Sequence, residues 1–388
     1  MNILFLMGTY PNFGGVEVVS TVLANEFCQR GHNVALVSFE QPKLEKDPMK
    51  LDDRVRFYPF SKPISTKDNC SRLRHILVVE DVDFIINQWV VPYYVARLCS
   101  KAMRGSECQM IGVHHNLPDS NHQIEQVRIA IRQHEGNYFL NRMKLFLVTL
   151  VSRLSLRYTI SKCTSYLTLS PCFIPIAKRF TWMKCSGKFK AIANPLTIVP
   201  NRDEPLNKKN EIIYVGRIEY NQKCTYRIVD IWEHLEEKYP DWCLRIVGDG
   251  PDRLDLQQRI NKKGLRNVTI EGFQNPLSYY KEAKLLLLTS AYEGFPLVLA
   301  ESMEYGVVPL VYDSYAAVHD IIDEGVNGYI LPQPYTDEGF ITRIEDLIQN
   351  EGKLLKFSKA ARTKAKEFSL DCIVKKWEQL MIELKRKQ

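Results

Sequence analysis

The chain of 388 residues is 45% hydrophobic and 25% charged, with a formal charge of +7. Those values suit a soluble globular protein of about two domains and exclude collagen, a coiled coil and wholesale disorder. The longest apolar run, residues 145–151 (LFLVTLV), reaches a third of the ~20 residues that a membrane-spanning helix needs.

In chain order, residues 2–7 (NILFLM) are a continuous apolar run, read as a first buried strand. No basic segment precedes it, so no secretory signal is expected. Gly14-Gly15 marks a turn, residues 16–29 follow with helical periodicity, and Gly31 ends them. Residues 33–39, 84–87, 110–113 and 166–169 are further short buried strands. A second series of strands lies at 211–215, 243–247, 268–271, 284–289 and 308–312, with helical stretches between. Short apolar runs alternating with amphipathic helices predict parallel sheets covered on both faces, an α/β class. The polar stretch 200–210 (PNRDEPLNKKN) reads as a linker. The expected division is residues 1–195 and 196–368 as two Rossmann-like doubly wound domains. Residues 369–388 would form an amphipathic helix packing back on the first domain. Ligand sites of such sheets lie at the carboxyl ends of strands.

Ten cysteines without C-x-x-C spacing suggest reduced thiols in a cytoplasmic protein rather than a zinc site. Charge is uneven. Residues 1–200 hold 25 Lys and Arg against 15 Asp and Glu, and residues 201–388 hold 27 against 30. Between 126 and 200 there are 12 basic residues and one acid, Glu135. Anionic lipid and nucleic acid are the two partner classes such a stretch could meet. No nucleic-acid recognition motif accompanies the charge, so nucleic acid is not expected. A basic, apolar helix over 138–158 suits a membrane interface, or is a core helix with a solvated basic face.

The segment 290–304 (SAYEGFPLVLAESME) follows an apolar strand. Glu293 and Gly294 sit in a short loop, Pro296 suits a first helical turn, and Glu301 falls inside the helix. A helix N-terminus at a strand's carboxyl end favours an anion. Read alone, Glu293 is equally an N-terminal capping acid and Glu301 a solvated helix residue.

Glu293 and Glu301, in the context EGFPLVLAE, resemble the E-x7-E signature of the family-four glycosyltransferases. Further motifs follow in family order. Gly14-Gly15-Val16-Glu17 resembles the GGxE loop, Asn194-Pro195 the interdomain N-P element, and Arg217 with Lys223 the GR…K pair. Residues 248–251 (GDGP) resemble the GxGP turn, and Asn327-Gly328 the late NG turn. The resemblance implies a GT-B fold, two Rossmann-like domains facing a central cleft. It also implies transfer of a sugar, with retention, from a nucleoside diphosphate sugar to an acceptor hydroxyl. No metal and no cofactor beyond that donor are expected.

The same resemblance assigns roles. Arg217 and Lys223 would clamp the diphosphate, which suits a planar fork and a compact ammonium. Glu301 would take the ribose hydroxyls. Glu293 would face the sugar, with the backbone N–H groups of Gly294, Phe295 and Leu297 on the phosphates. Phe273 and Gln274 would lie near the base, and Gly14 and Gly15 would permit close approach of a phosphate or sugar. His115 would contact the donor sugar, with His114 pointing into the sheet. Charge growing on the leaving diphosphate would be met by these preorganised groups, and domain closure would exclude water. Asp81-Val82-Asp83 copies a metal motif of another transferase fold but precedes a strand, so it reads as a strand start. Two departures stand out: Cys224 occupies a place where the family usually has Gly, and 306–309 (GVVP) is one residue longer than usual.

The resulting expectation is a glycosyltransferase of surface-polysaccharide synthesis. It would take a nucleotide sugar and a lipid-linked saccharide and dock on the anionic inner face of the cell membrane. A GT-B nucleotide-sugar epimerase and a non-catalytic nucleotide-sugar-binding partner protein are the rival readings. The epimerase would need further acid/base groups beside His115.

Overall fold

The computed structural model describes residues 1–12, 14–43, 50–184, 187–198 and 207–387. Most of the expected linker, residues 200–206, lies outside the described residues. The chain divides into two compact units, Met1–Thr197 with Leu370–Gln388, and Ile198–Ser369.

The first unit runs β1 (Asn2–Thr9), α1 (Gly15–Gln29), β2 (Asn33–Glu40), β3 (Arg56–Pro59), α2 (Lys67–Val79), β4 (Phe84–Asn87), α3 (Tyr93–Ala102), β5 (Gln109–His114), α4 (His122–Arg132), α5 (Tyr138–Lys162), β6 (Ser165–Thr168), α6 (Phe173–Thr181) and β7 (Phe189–Ala191). The strands form one sheet in the order β3-β2-β1-β4-β5-β6-β7. All pairs are parallel, with Phe5 opposite Leu36 on one side and Ile86 on the other. Ile3, Leu4, Phe5 and Leu6 are almost wholly buried because helices cover both faces. From β1 the chain winds outward to β2 and β3. It then returns to β4 on the other side of β1. The strand order therefore reverses between β1 and β4, the kind of place where doubly wound sheets bind ligands.

The second unit runs β8 (Glu211–Val215), α7 (Tyr226–Glu233), β9 (Cys243–Val247), α8 (Arg253–Lys263), β10 (Val268–Gly272), α9 (Leu277–Glu282), β11 (Leu285–Leu288), α10 (Leu297–Glu304), β12 (Val308–Tyr312), α11 (Val318–Ile321), β13 (Tyr329–Leu331), α12 (Asp337–Gln349) and α13 (Glu351–Ala365). Its parallel sheet has the order β10-β9-β8-β11-β12-β13, so its reversal falls between β8 and β11.

The last helix, α14 (Leu370–Lys385), belongs to the first unit. Its buried Ile373, Val374, Trp377, Leu380, Met381 and Leu384 recur at three- and four-residue spacing, one helical face. Arg30 reaches Asp371 at 2.7 Å and Glu378 at 3.2 Å, and Lys385 reaches Asp83 at 2.6 Å. Asp83 also accepts the backbone N–H of Asn2 at 2.8 Å, so its carboxylate ties the strand start to the final helix.

Candidate active site

In the second unit the strand reversal brings two loops together. The loop after β8 is held by Tyr214, whose hydroxyl donates to the carbonyl of Arg217 at 2.7 Å. The backbone N–H of Ala291 donates to the carbonyl of Gln222 at 2.7 Å, and Gln222 Nε2 donates to the carbonyl of Tyr292 at 3.3 Å. These bonds tie the loop after β8 to the loop after β11. The loop after β9 is pressed against the first of them: a Cβ on Gly248 would lie 1.8 Å from the carbonyl oxygen of Gly216, so only glycine fits.

Across this junction Lys223 Nζ meets Glu293 Oε1 at 2.6 Å. The glutamate side chain is 7% exposed and the lysine 20%. A carboxylate so buried needs a charged partner, and Lys223 supplies it. Glu293 is therefore no helix cap. Tyr315 is buried beside it, and its hydroxyl has no partner among the described residues. Burial first and the charge of Glu293 second hold that phenol well above its ordinary range. Arg217, on the same loop, is exposed.

Pro296 stands at the N-cap of α10, one residue before the helix starts at Leu297, and its carbonyl accepts the N–H of Leu299 at 3.2 Å. Phe295 is buried and packs edge-on against Phe368, with centroids 5.5 Å apart, so its side chain serves the core. Glu301 is not a solvated helix residue. It is 6% exposed, and the buried Tyr280 donates its hydroxyl to Oε2 at 3.2 Å. Tyr280 is a site residue that the sequence reading missed. Phe273 and Gln274 are exposed just past β10.

Cys224 has φ +51°, the left-handed region that favours glycine. The departure noted in the sequence thus falls where the backbone calls for Gly, and a side chain there costs roughly 1–2 kcal/mol. The carbonyl of Cys224 accepts from Thr289 Oγ1 at 3.3 Å, which holds the loop in that conformation.

In the first unit the reversal between β1 and β4 opens a cavity of about 260 Å³ lined in part by Glu17, Gln88, Trp89, His114, His115 and Asn116. Gly14 lies under Glu17: a Cβ on Gly14 would sit 2.1 Å from its carboxylate, and Gly15 is exposed. His115 Nε2 pairs with Gln88 Oε1 at 2.6 Å. His114 also faces this cavity rather than only the sheet, while its Nδ1 bonds the hydroxyl of Tyr166 at 2.5 Å. Burial pushes His114 down to about 4; burial and then its neighbour push His115 down to about 3. Both rings are neutral at ordinary pH.

The basic helix α5 is largely exposed at its start. Leu140, Met143, Leu147, Val151 and Leu154 recur at three- and four-residue spacing and are 48% to 66% exposed. Its 25 residues include no Asp or Glu. Arg142, Lys144, Arg153 and Arg157 are the basic residues of the 138–158 stretch that would meet an anionic surface, and three of them have partners. Arg142 lies 5.8 Å from the ring of Tyr138, one turn back on the same helix. Arg153 stacks on Trp182 at 4.0 Å and on Phe180 at 5.2 Å. Arg157 donates to the carbonyls of Thr181 and Trp182 at 2.9 and 3.2 Å. Among the described residues no helix is long and apolar enough to cross a membrane.

Comparison with known proteins gives matches along nearly the whole chain. Residues 13–163 match the family described as Glycosyltransferase Family 4, and residues 200–364 match Glycosyl transferases group 1. The amylovoran biosynthesis glycosyltransferase AmsD of Erwinia amylovora is 23% identical over 98% of this chain and 99% of its own. The lipopolysaccharide 1,6-galactosyltransferase of Salmonella typhimurium is 31% identical over 42% of this chain and 46% of its own. Among solved structures, Anabaena HepE in complex with UDP and glucose superposes with a TM-score of 0.72. It is 15% identical and covers 99% of this chain and all of its own. The two parallel-sheet units and these neighbours make the fold GT-B.

Proposed function

The chain belongs to the family-four glycosyltransferases, and we propose that it moves a sugar, with retention of configuration, from a nucleoside diphosphate sugar to a hydroxyl of a lipid-linked saccharide in surface-polysaccharide synthesis. The observation that carries this reading is the Lys223–Glu293 pair at the β8/β11 reversal, beside the N-terminus of α10. A helix N-terminus with a lysine and an arginine on the facing loop is a site for an anion, and the lysine's remaining N–H donors are free to meet it.

Arg217 and Lys223 take the diphosphate, assisted by the backbone N–H groups of Gly294, Phe295 and Leu297. As the bond from the sugar's anomeric carbon to the phosphate oxygen breaks, negative charge grows on the diphosphate. Groups already aimed at it lower the barrier, typically by several kcal/mol. Glu301, oriented by Tyr280, accepts the ribose hydroxyls. Glu293 faces the sugar. The base lies near Phe273 and Gln274, and His115 contacts the sugar as a neutral ring. Gly14 and Gly15 let the ligand approach the backbone. The diphosphate's charge is met by protein cations, so the reaction needs no metal.

The printed activities of the relatives support the polysaccharide setting, and the ligands in the HepE structure support the donor class. The apolar and acid-free surface of α5 supports docking on an anionic leaflet, the surface on which a lipid-linked acceptor is presented. The direct test is a panel of nucleotide sugars assayed for acceptor-dependent release of nucleoside diphosphate, with and without EDTA. One donor should be consumed in both conditions. Release from none of them, or release that requires added Mg²⁺ or Mn²⁺, contradicts the reading.

A further inference from the structure

The first unit's cavity has more hydrogen-bonding capacity than its protein contacts use. Gln88 is 6% exposed, yet its Nε2 has no partner among the described residues, and the same holds for Asn87 Nδ2 and for His114 Nε2. Buried amide and ring nitrogens are rarely left so. Gln88 and His114 both line the cavity.

The frame around Gln88 is stiff. Its backbone N–H donates to the carbonyl of Leu6 at 3.0 Å. Asn87 Oδ1 accepts the N–H of Trp89 at 3.0 Å and fixes the turn that follows β4. The Trp89 ring lies so close over Gly8 that a Cβ there would approach it to 3.0 Å. Turned over, the Gln88 amide would donate to an unprotonated Nε2; here its oxygen faces the ring and only accepts, so His115 Nε2 carries the proton. Its Nδ1 is then a lone-pair acceptor, and it bonds no described residue.

We propose that Gln88 is a positioning residue: its amide oxygen locks His115 as the Nε2–H tautomer, and the pair presents an acceptor, His115 Nδ1, and apart from it a donor, Gln88 Nε2, to separate hydroxyls of one saccharide. Hydroxyls both donate and accept, so those of one saccharide satisfy both groups. A phosphate or carboxylate oxygen only accepts and would oppose the Nδ1 lone pair. The neutral ring agrees with this, since an imidazolium would offer Nδ1 as a donor. The inference rests on the reading of His115 as a ligand contact. It adds the residue that sets the ring's protonation pattern and the chemical class the pocket selects. The hydroxyls belong either to the donor sugar or to the acceptor saccharide.

The test reads the tautomer before it reads activity. Long-range ¹H–¹⁵N correlation spectra of the full chain, labelled at histidine and free of substrate, should show His115 protonated at Nε2. Gln88→Leu should lose that fixed pattern, whereas Gln88→Glu, which still accepts, should keep Nε2 protonated. Gln88→Leu should lower kcat/KM by about 10- to 100-fold, as loss of one orienting hydrogen bond does. It should leave nucleoside diphosphate affinity within about twofold, because the phosphate groups sit in the other unit. A rise in KM for the nucleotide sugar assigns the hydroxyls to the donor; a rise for the saccharide assigns them to the acceptor. An Nδ1–H ring in the wild type overturns the inference. So does a Gln88→Leu enzyme with unchanged tautomer and unchanged kinetics. Because the spectra need no substrate, failure of the transferase reading is seen separately, as a donor panel with no turnover.

Discussion

At the β8/β11 reversal the second unit holds charge: a lysine and a glutamate paired in a nearly dry loop junction, an exposed arginine beside them, and a second glutamate under a tyrosine. At the β1/β4 reversal the first unit holds two histidines kept neutral by burial, a glutamine, an asparagine and one acid, Glu17, whose carboxyl burial raises above its ordinary range. The sheets are alike in architecture, and the same topological position is furnished for different chemistry. Paired charge in low dielectric can take up a diphosphate and meet the charge that grows on it. Neutral donors and acceptors can sort hydroxyls without attracting phosphate. The difference lies in the loops, while the strands beneath are interchangeable runs of Ile, Leu, Val and Phe.

The largest expected effect tests the charged side. Arg217→Ala and Lys223→Ala should each lower kcat/KM by roughly 10²–10³, as expected for a lost transition-state contact. Lys223→Ala also strands the buried Glu293, so Arg217→Ala is the cleaner arm. Near-normal turnover in both would remove the phosphate assignment. Next, Glu301→Ala should weaken nucleoside diphosphate binding by about 10- to 100-fold in calorimetry, since one charged acceptor is lost. Glu293→Ala should instead lower kcat more than affinity. Unchanged affinity in the Glu301 variant would end its ribose role.

The third test concerns the first unit's outer face. The protein should co-sediment with anionic liposomes at low salt and be released at high salt, each basic residue near the surface contributing about 1 kcal/mol. Arg142→Gln with Lys144→Gln should weaken this binding, as should Leu147→Ser with Val151→Ser. Substituting Arg153 or Arg157 would disturb the turn at 180–182 instead. Equal binding to neutral liposomes would leave electrostatics without a part.

The fourth concerns pH. Both histidines have folded pKa values below the unfolded value of about 6.5. The unfolded state therefore binds more protons below pH 6.5. Stability should be full above that pH and fall as the pH drops toward about 4 for His114 and about 3 for His115. Each ring contributes at most ~1.4 kcal/mol per pH unit. Denaturant titrations at pH 7 and pH 5 should show the loss, and His114→Gln should shrink it. An equal loss in the variant would assign it to other groups. The smallest effect is at Cys224. Relief of its left-handed backbone should make Cys224→Gly more stable than Cys224→Ala by about 1 kcal/mol. The reverse order would show that the loop relaxes there.

Interior parallel strands are legible in a sequence because burial on both faces leaves continuous apolar runs, as in residues 84–87 and 285–288. The edge strands β3, β7 and β13 escaped. Arg56-Phe57-Tyr58-Pro59 pairs on one side only and is mostly solvated, so no apolar run marks it. The charged site residues were legible through short motifs at fixed spacing. Their pairing was not, because Lys223 and Glu293 are 70 residues apart and only the strand order brings them together. Gln88 left one trace that could have been followed: two amides, Asn87 and Gln88, ending an apolar strand at the reversal. Arg153 and Arg157 looked like free cations because their partners lie past the next strand, around Trp182, whose left-handed φ of +54° no local pattern announces.

On this reading the second unit's reversal holds the nucleoside diphosphate. Hydrogen–deuterium exchange on the full chain, with and without a panel of nucleoside diphosphates, tests it most directly. One of them should slow exchange in residues 216–223 and 290–301, and Arg217→Ala should diminish the effect. Protection confined to the first unit, or protection with none of the panel, would contradict it.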